Sequence, residues 1–183
     1  MQAVTFRSAA EYLAYPKPDV PACLVLDVQL PDINGLDLQS RLAHGSLPPI
    51  VFITGHGDIP SSVRAIKAGA VDFLSKPFKE ADLMRAINAA LAESREIRQL
   101  GAQRADIDRR LASLTPRERE VLPLIASGLL NKQAAVELGI SEATLQIHRG
   151  KIMQKMQAGS FADLVRMASA LELPITHSRH SRK

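Results

Sequence analysis

The rhythm of apolar and polar positions changes near residue 78. Before it, three short runs are mostly apolar and rich in β-branched or aromatic side chains: Cys23-Leu24-Val25-Leu26-Asp27, Ile50-Val51-Phe52-Ile53-Thr54 and Ala70-Val71-Asp72-Phe73-Leu74. Near-continuous apolar runs of this length predict strands of a parallel sheet covered on both faces. Between them, residues 36–44 and 60–68 carry helical patterns that end at Gly45 and Gly69. Strand, helix, strand, helix, strand predicts right-handed crossovers and a doubly wound α/β domain. After Pro77 no strand signal follows. Leu83, Ile87 and Leu91 recur every four residues, and Ile97, Leu100, Ile107, Leu111 and Leu114 continue at helical spacing. Residues 79–110 are expected to form a long or broken helix joining two domains. The stripe from 97 to 114 approximates a heptad seam, which packs either on the chain's own domains or on a second copy.

Residues 113–172 read as a set of capped helices. Thr115-Pro116-Arg117-Glu118 places Thr at the N-cap, Pro at the first helical position and Glu at the third, the pattern of a capping box. A second helix is expected from Asn131 to a stop at Gly139, and a third from a Ser141 cap to about Met156. Ser160-Phe161-Ala162-Asp163 is expected to form another capping box. A helix near the N-terminus is expected over residues 8–14. Residues 175–183 read as a frayed basic tail.

Composition narrows the class. With 46% hydrophobic and 23% charged residues the chain has enough apolar material for packed domains. Its single cysteine, Cys23, excludes an internal disulfide framework and suits a reducing compartment. No apolar run approaches the roughly 18 residues of a membrane span, and the N-terminus lacks the layout of a signal peptide, so a cytoplasmic protein without membrane partners is expected. The net charge of +4 is unevenly placed. Residues 1–92 carry 8 Lys/Arg against 9 Asp/Glu, residues 93–112 carry 5 against 4, and residues 113–183 carry 10 against 6. The positive balance sits at the C-terminal end, as expected where a polyanion is met.

In open α/β sheets, ligands bind beyond the carboxyl ends of the strands. The three apolar runs end there in a carboxylate, a hydroxyl and an ammonium: Asp27, Thr54 and Lys76. The carboxylate can act as a nucleophile or a metal ligand, and the other two can hold the oxygens of a transferred phosphoryl group. The segments Leu26-Asp27-Val28-Gln29-Leu30-Pro31-Asp32-Ile33-Asn34-Gly35, Thr54-Gly55-His56-Gly57-Asp58 and Gly69-Ala70-Val71-Asp72-Phe73-Leu74-Ser75-Lys76-Pro77-Phe78 resemble the CheY-like receiver domain of two-component response regulators. The resemblance implies that Asp27 is phosphorylated by a sensor histidine kinase and that Thr54 and Lys76 contact the phosphoryl group. It also implies that Phe73 changes rotamer with Thr54, that the Lys76–Pro77 bond is cis, and that Asp27 and the Gln29 carbonyl hold Mg²⁺.

The opening departs from that family. Receivers begin with a strand ending in adjacent acidic residues, then a helix, whereas here Met1-Gln2-Ala3-Val4-Thr5-Phe6 resembles the family's second strand. The chain is therefore read as N-terminally shortened, lacking the first strand, the first helix and the acidic pair. Mg²⁺ usually takes one or two carboxylates with phosphate and water. Weak Mg²⁺ binding and impaired phosphorylation are expected.

Residues 110–174 are expected to form an all-α four-helix domain similar to the LuxR-type helix-turn-helix domain of FixJ-type regulators, with the motif itself at about 131–150. The similarity rests on Leu114-Thr115-Pro116-Arg117-Glu118-Arg119-Glu120-Val121-Leu122, Gly128-Leu129-Leu130-Asn131-Lys132, Leu138-Gly139-Ile140-Ser141 and Thr144-Leu145-Gln146-Ile147-His148-Arg149. The receiver is read as residues 1–92 and the helical linker as 93–109. In the second helix of the motif, Leu145, Ile152 and Met156 share a stripe and should face the core. Gln146 and Arg149 lie on another face as candidates for base edges, and Lys132, Lys151 and Lys155 suit phosphates. Thr144 and His148 complete the candidate DNA surface.

The leading expectation is a DNA-binding transcriptional response regulator, not an enzyme, which pairs into a homodimer on a promoter site when phosphorylated. An alternative is a phosphorylation-independent DNA-binding regulator whose receiver remnant only pairs subunits. An aspartyl-phosphate hydrolase is less favoured, because such enzymes carry a second acid two residues after the nucleophile, where this chain has Gln29.

Overall fold

The computed structural model describes residues 2–42, 47–55 and 59–173. The expected helix end at Gly45, the His56-Gly57-Asp58 segment and the basic tail lie outside the described residues. The chain divides into two compact units, residues 1–99 and 100–183.

In the first unit, β1 (Leu24–Asp27), β2 (Ile50–Thr54) and β3 (Asp72–Ser75) form a parallel sheet in the order β1-β2-β3. The central strand β2 explains why the run is apolar without alternation. Ile50 and Phe52 point into a core with Leu26, Val28, Leu36, Leu38 and Ala65. Val51 points the other way, onto Ala86 and Ala90. Alternate Cβ directions thus fill two layers, and both need apolar residues. Helices α1 (Ala9–Ala14), α2 (Gly35–Leu42) and α3 (Ile59–Lys67) supply the first layer, and the early part of α4 (Glu80–Ala112) supplies the second.

Residues 2–6 form no strand, which corrects the strand expected at the start of the chain. A strand gains its backbone hydrogen bonds from a neighbour, and among the described residues the sheet pairs only β1 with β2 and β2 with β3. Phe6 instead packs edge-on against Tyr12 and Tyr15, with ring centroids 5.4 and 5.1 Å away. The short helix α1 is held from its front end: Ser8 caps it, and the Asp32 carboxylate accepts from the Ala9 and Ala10 N–H groups at 3.2 and 3.0 Å.

In the second unit, α5 (Pro116–Ala126), α6 (Asn131–Glu137), α7 (Glu142–Met156) and α8 (Phe161–Ala170) surround one core. Val121, Leu122, Ile125, Leu145, Ile152, Met156 and Leu164 are buried there. Helix α4 is unbroken over 33 residues, and its expected seam divides. Ile107, Leu111 and Leu114 pack on this core, whereas Ile97 and Leu100 are exposed. Packing on the helices of the second unit thus accounts for the later half of the stripe.

Caps follow local chemistry with one deviation. Thr115 and Glu118 form the full capping box of α5. At α8, Ser160 Oγ accepts from the Asp163 N–H at 3.1 Å, and the Asp163 carboxylate accepts from the Ser160 hydroxyl at 2.9 Å. At α6 the N-cap is Leu130, which offers no side-chain acceptor, and only Gln133 Oε1 accepts from the Leu130 N–H. Leu130 is exposed, so Leu130→Ser should stabilise the chain by about 1 kcal/mol. A urea midpoint equal to or below that of the wild type would contradict this.

Candidate phosphoacceptor and nucleic-acid-binding sites

The parallel register builds the first site. Asp27 pairs with Ile53, and Thr54, one residue further along β2, pairs with Ser75, after which Lys76 follows. The Lys76 N–H donates to the Thr54 carbonyl at 2.7 Å, which fixes the turn leaving β3. The Lys76–Pro77 bond is cis, as the resemblance implies. Three residues distant in sequence therefore meet at one end of the sheet.

Asp27 makes two close contacts. Its Oδ2 accepts from Lys76 Nζ at 2.7 Å, and its Oδ1 accepts from the Gln29 N–H at 2.9 Å. Burial pushes the Asp27 carboxyl up, but the Lys76 ammonium and the Gln29 N–H outweigh it, and the group lies below the usual carboxylate value. The Asp27 carboxylate is therefore anionic at neutral pH and partly exposed. Thr54 is buried at the end of β2. Phe73 packs against the core of the first unit, 6.2 Å from the Phe52 ring centroid.

The loop after Asp27 is closed tightly. The Gly35 N–H donates to the Val28 carbonyl at 2.9 Å, and a Cβ on Gly35 would lie 2.5 Å from the Asp27 carbonyl oxygen. Only glycine lets α2 start so near the Asp27 backbone.

Receiver domains in general use Mg²⁺ for phosphorylation. Here Asp27 and the Gln29 carbonyl offer two of the six or so oxygens that the ion requires. Among the described residues no group of three or more His, Cys, Asp or Glu gathers. These residues do not by themselves make a Mg²⁺ site.

The second site lies in the helix-turn-helix. Helix α6 ends in a turn at Gly139, whose φ of +64° lies in the left-handed region, and α7 starts from the Ser141 cap. Gln146 is exposed on α7, as are Lys151 and, on α6, Lys132. Thr144 sits in the first turn of α7, its Oγ1 2.8 Å from Ser141 Oγ. His148 is half-buried, and its Nδ1 is shielded without a hydrogen-bond partner.

Two expected DNA residues are engaged inside the fold. Lys155 Nζ lies 2.6 Å from Glu118 Oε2, next to the α5 capping box. Arg149 donates to Asn131 Oδ1 at 3.0 Å and stacks its guanidinium 4.8 Å from the Phe161 ring centroid.

Much of the positive charge at this end has a similar use. Arg110 donates to the Met156 carbonyl, Arg117 to that of Leu138 and Arg119 to that of Ala112, at 3.0, 2.6 and 2.9 Å. Each guanidinium thereby satisfies a carbonyl at a helix C-terminus. Counting charges along the sequence could not separate these capping arginines from DNA-binding ones. Sequence reading also passed over Ile147, an apolar residue 60% exposed on α7. Its signal was a position nearly opposite the Leu145-Ile152-Met156 stripe.

Among the described residues no helix is long and apolar enough to cross a membrane. Residues 1–88 match the family model of the response regulator receiver domain, and residues 112–168 match that of the bacterial regulatory proteins of the luxR family. Nodulation protein W of Bradyrhizobium diazoefficiens is 48% identical over 182 residues, covering 99% of this chain and 80% of that protein. Response regulator protein TmoT of Ectopseudomonas mendocina is 46% identical over 168 residues, covering 91% of this chain and 76% of that protein. Among solved structures, a low-resolution structure of the response regulator StyR matches with a TM-score of 0.75 at 46% identity, over 90% of this chain and 83% of that one. The family is a class of transcriptional regulators rather than of enzymes. The chain belongs to the two-component response regulators that join a receiver domain to a LuxR-type DNA-binding domain.

Proposed function

We propose that Asp27 is the phosphoacceptor through which a sensor histidine kinase controls DNA binding by the second unit. The observation that carries this reading is the meeting of Asp27, Thr54 and Lys76 at one sheet end, with Lys76 already bound to the acceptor. The Asp27 carboxylate attacks phosphorus, forming an O–P bond as the donor's N–P bond breaks and the imidazole leaves with the electron pair. Lys76 and Thr54 then hold phosphoryl oxygens, and Phe73, beside them on β3, follows Thr54 in changing rotamer. No step is assigned to Mg²⁺.

In the second unit, Gln146 reads a base edge and Ile147 contacts a thymine methyl, because an amide and an exposed apolar side chain suit those major-groove features. Thr144, Lys132 and Lys151 contact phosphates. Lys155, held by Glu118, stabilises the domain instead, and His148 packs at the helix edge. Phosphorylation favours a homodimer, which brings two such helices to two half-sites of a promoter.

Incubation with a small phosphodonor should give one phosphate adduct by intact mass, absent in Asp27→Asn. A Mg²⁺ titration should show weak dependence on the ion. An adduct that persists in Asp27→Asn would remove Asp27 from the role. Equal DNA affinity for wild type and Asp27→Ala under phosphorylating conditions would favour the alternative, in which DNA binding is independent of phosphorylation.

A further inference from the structure

Arg149 has the residue type of a DNA reader and the placement of something else. On α7, at about 100° per residue, it lies only about 40° from the Leu145-Ile152-Met156 stripe that faces the core. Gln146 and Ile147 lie further round, toward solvent. Arg149 is half-buried, and its guanidinium makes internal contacts. Its Nη1 donates to Asn131 Oδ1 at 3.0 Å, and its Cζ is 4.8 Å from the Phe161 ring centroid. Asn131 is the first residue of α6 and Phe161 the first residue of α8. One side chain therefore touches the start of both helices that flank α7.

We propose that Arg149 is a positioning residue, a latch that fixes the angle at which α7 presents Gln146 and Ile147, and that it reads no base itself. The inference rests on the DNA-binding reading above. A planar guanidinium suits this use: one edge donates to the Asn131 carbonyl oxygen while its face lies on the Phe161 ring. Asn131 supplies a neutral acceptor, so the latch does not neutralise the charge. The groove beside it is lined by Lys132 and also by Glu142. With an ammonium and a carboxylate both in its lining, this groove does not single out a phosphate for the remaining guanidinium donors.

The latch has consequences that a base contact or a phosphate contact does not share. The probe is a duplex selected from a random-sequence library with the wild-type chain, compared with a scrambled duplex of equal length. Arg149→Gln and Asn131→Ala should each lower the ratio of specific to non-specific affinity about tenfold, the scale of coupling between residues in contact. The double variant should lose no more than either single one. Asn131→Asp, which keeps the acceptor, should restore the ratio. The slope of log affinity against log salt should stay at the wild-type value in all of them, because no phosphate contact is lost.

Three results would overturn the latch. A slope flattened by about 0.9 in Arg149→Gln, with Asn131→Ala behaving as wild type, would make Arg149 a phosphate contact. Relaxed preference at one base pair in Arg149→Gln alone would make it a base reader. Additive losses in thermal unfolding, which needs no DNA, would show that Arg149 and Asn131 do not act together. Failure of the wild-type chain to enrich any sequence would instead sink the DNA-binding reading, while the unfolding cycle would still decide the latch.

Discussion

Replacing Glu118 with Ala should lower the stability of the second unit by about 2–4 kcal/mol, the larger of two effects expected from single substitutions. Glu118 is 2% exposed, yet it carries a charge. That charge is compensated twice: Oε2 accepts from the Thr115 N–H at 2.8 Å, and from Lys155 Nζ at 2.6 Å. Breaking a fully buried pair costs roughly 3–5 kcal/mol, and loss of a capping contact about 1 kcal/mol. The Lys155 side chain stays 33% exposed, so it can hydrate after the loss, and the expected total is reduced accordingly. Glu118→Gln keeps an acceptor for Thr115 while removing the ion pair, so its smaller loss isolates the ionic part.

The same pair sets an acid limit. Burial pushes the Glu118 carboxyl up, but the Lys155 and Thr115 bonds bring it below the usual carboxylate value. A folded value below the unfolded one, about 4.3, means that the contribution is fully present above that pH. It is lost as pH falls through the folded value. Both tyrosines, Tyr12 and Tyr15, lie in the first unit, and the chain has no Trp. Tyrosine emission therefore follows the first unit, while far-ultraviolet dichroism follows the helices of both. Glu118→Ala should shift a dichroism transition in urea and leave the emission midpoint alone. Stability unchanged within about 0.5 kcal/mol, the range of ordinary surface substitutions, would refute the structural role given to this pair.

Gly35→Ala should have the second largest effect, and on the other unit. The added Cβ would meet the Asp27 carbonyl oxygen at 2.5 Å, the Phe52 ring at 3.2 Å and the Leu26 side chain at 3.3 Å. The first of these is backbone and cannot rotate away. Overpacking of this kind costs about 1–3 kcal/mol, and relief requires moving either the start of α2 or Asp27 itself. The tyrosine emission transition should fall, and phosphate uptake at Asp27 should fall further than stability alone accounts for. Gly101→Ala is the contrast: Gly101 lies inside α4 with open space around its Cβ position. There the change should stabilise by about 1 kcal/mol, because alanine has the better helix propensity. Phosphate uptake by Gly35→Ala at the wild-type rate would mean that the close approach does not position Asp27.

What the sequence determined alone was whatever depends on neighbours within a few residues. The three strands are legible because a covered parallel strand must be apolar on both faces, and Val51 and Phe52 are fully buried on opposite sides. The caps at Thr115, Ser141 and Ser160 are legible because a hydroxyl reaches an N–H three residues on. Asp27, Thr54 and Lys76 could be grouped because parallel strands end at the same edge of a sheet. The family motifs added the roles proposed for them.

What only the tertiary structure decided was the use of long, charged or apolar side chains whose partners are distant in the chain. Lys155 meets Glu118 across 37 residues, and Arg110 reaches Met156 across 46. Residue type alone cannot distinguish a lysine bound for a phosphate from one bound for a buried glutamate, since both partners are anionic oxygens. The stripe from Ile97 to Leu114 likewise reads as one seam until packing shows that its later half covers the second unit's core. Arg149 is the sharpest case. Its residue type pointed to DNA, and its 3.0 Å bond to Asn131, with the Phe161 ring beneath it, turns it inward.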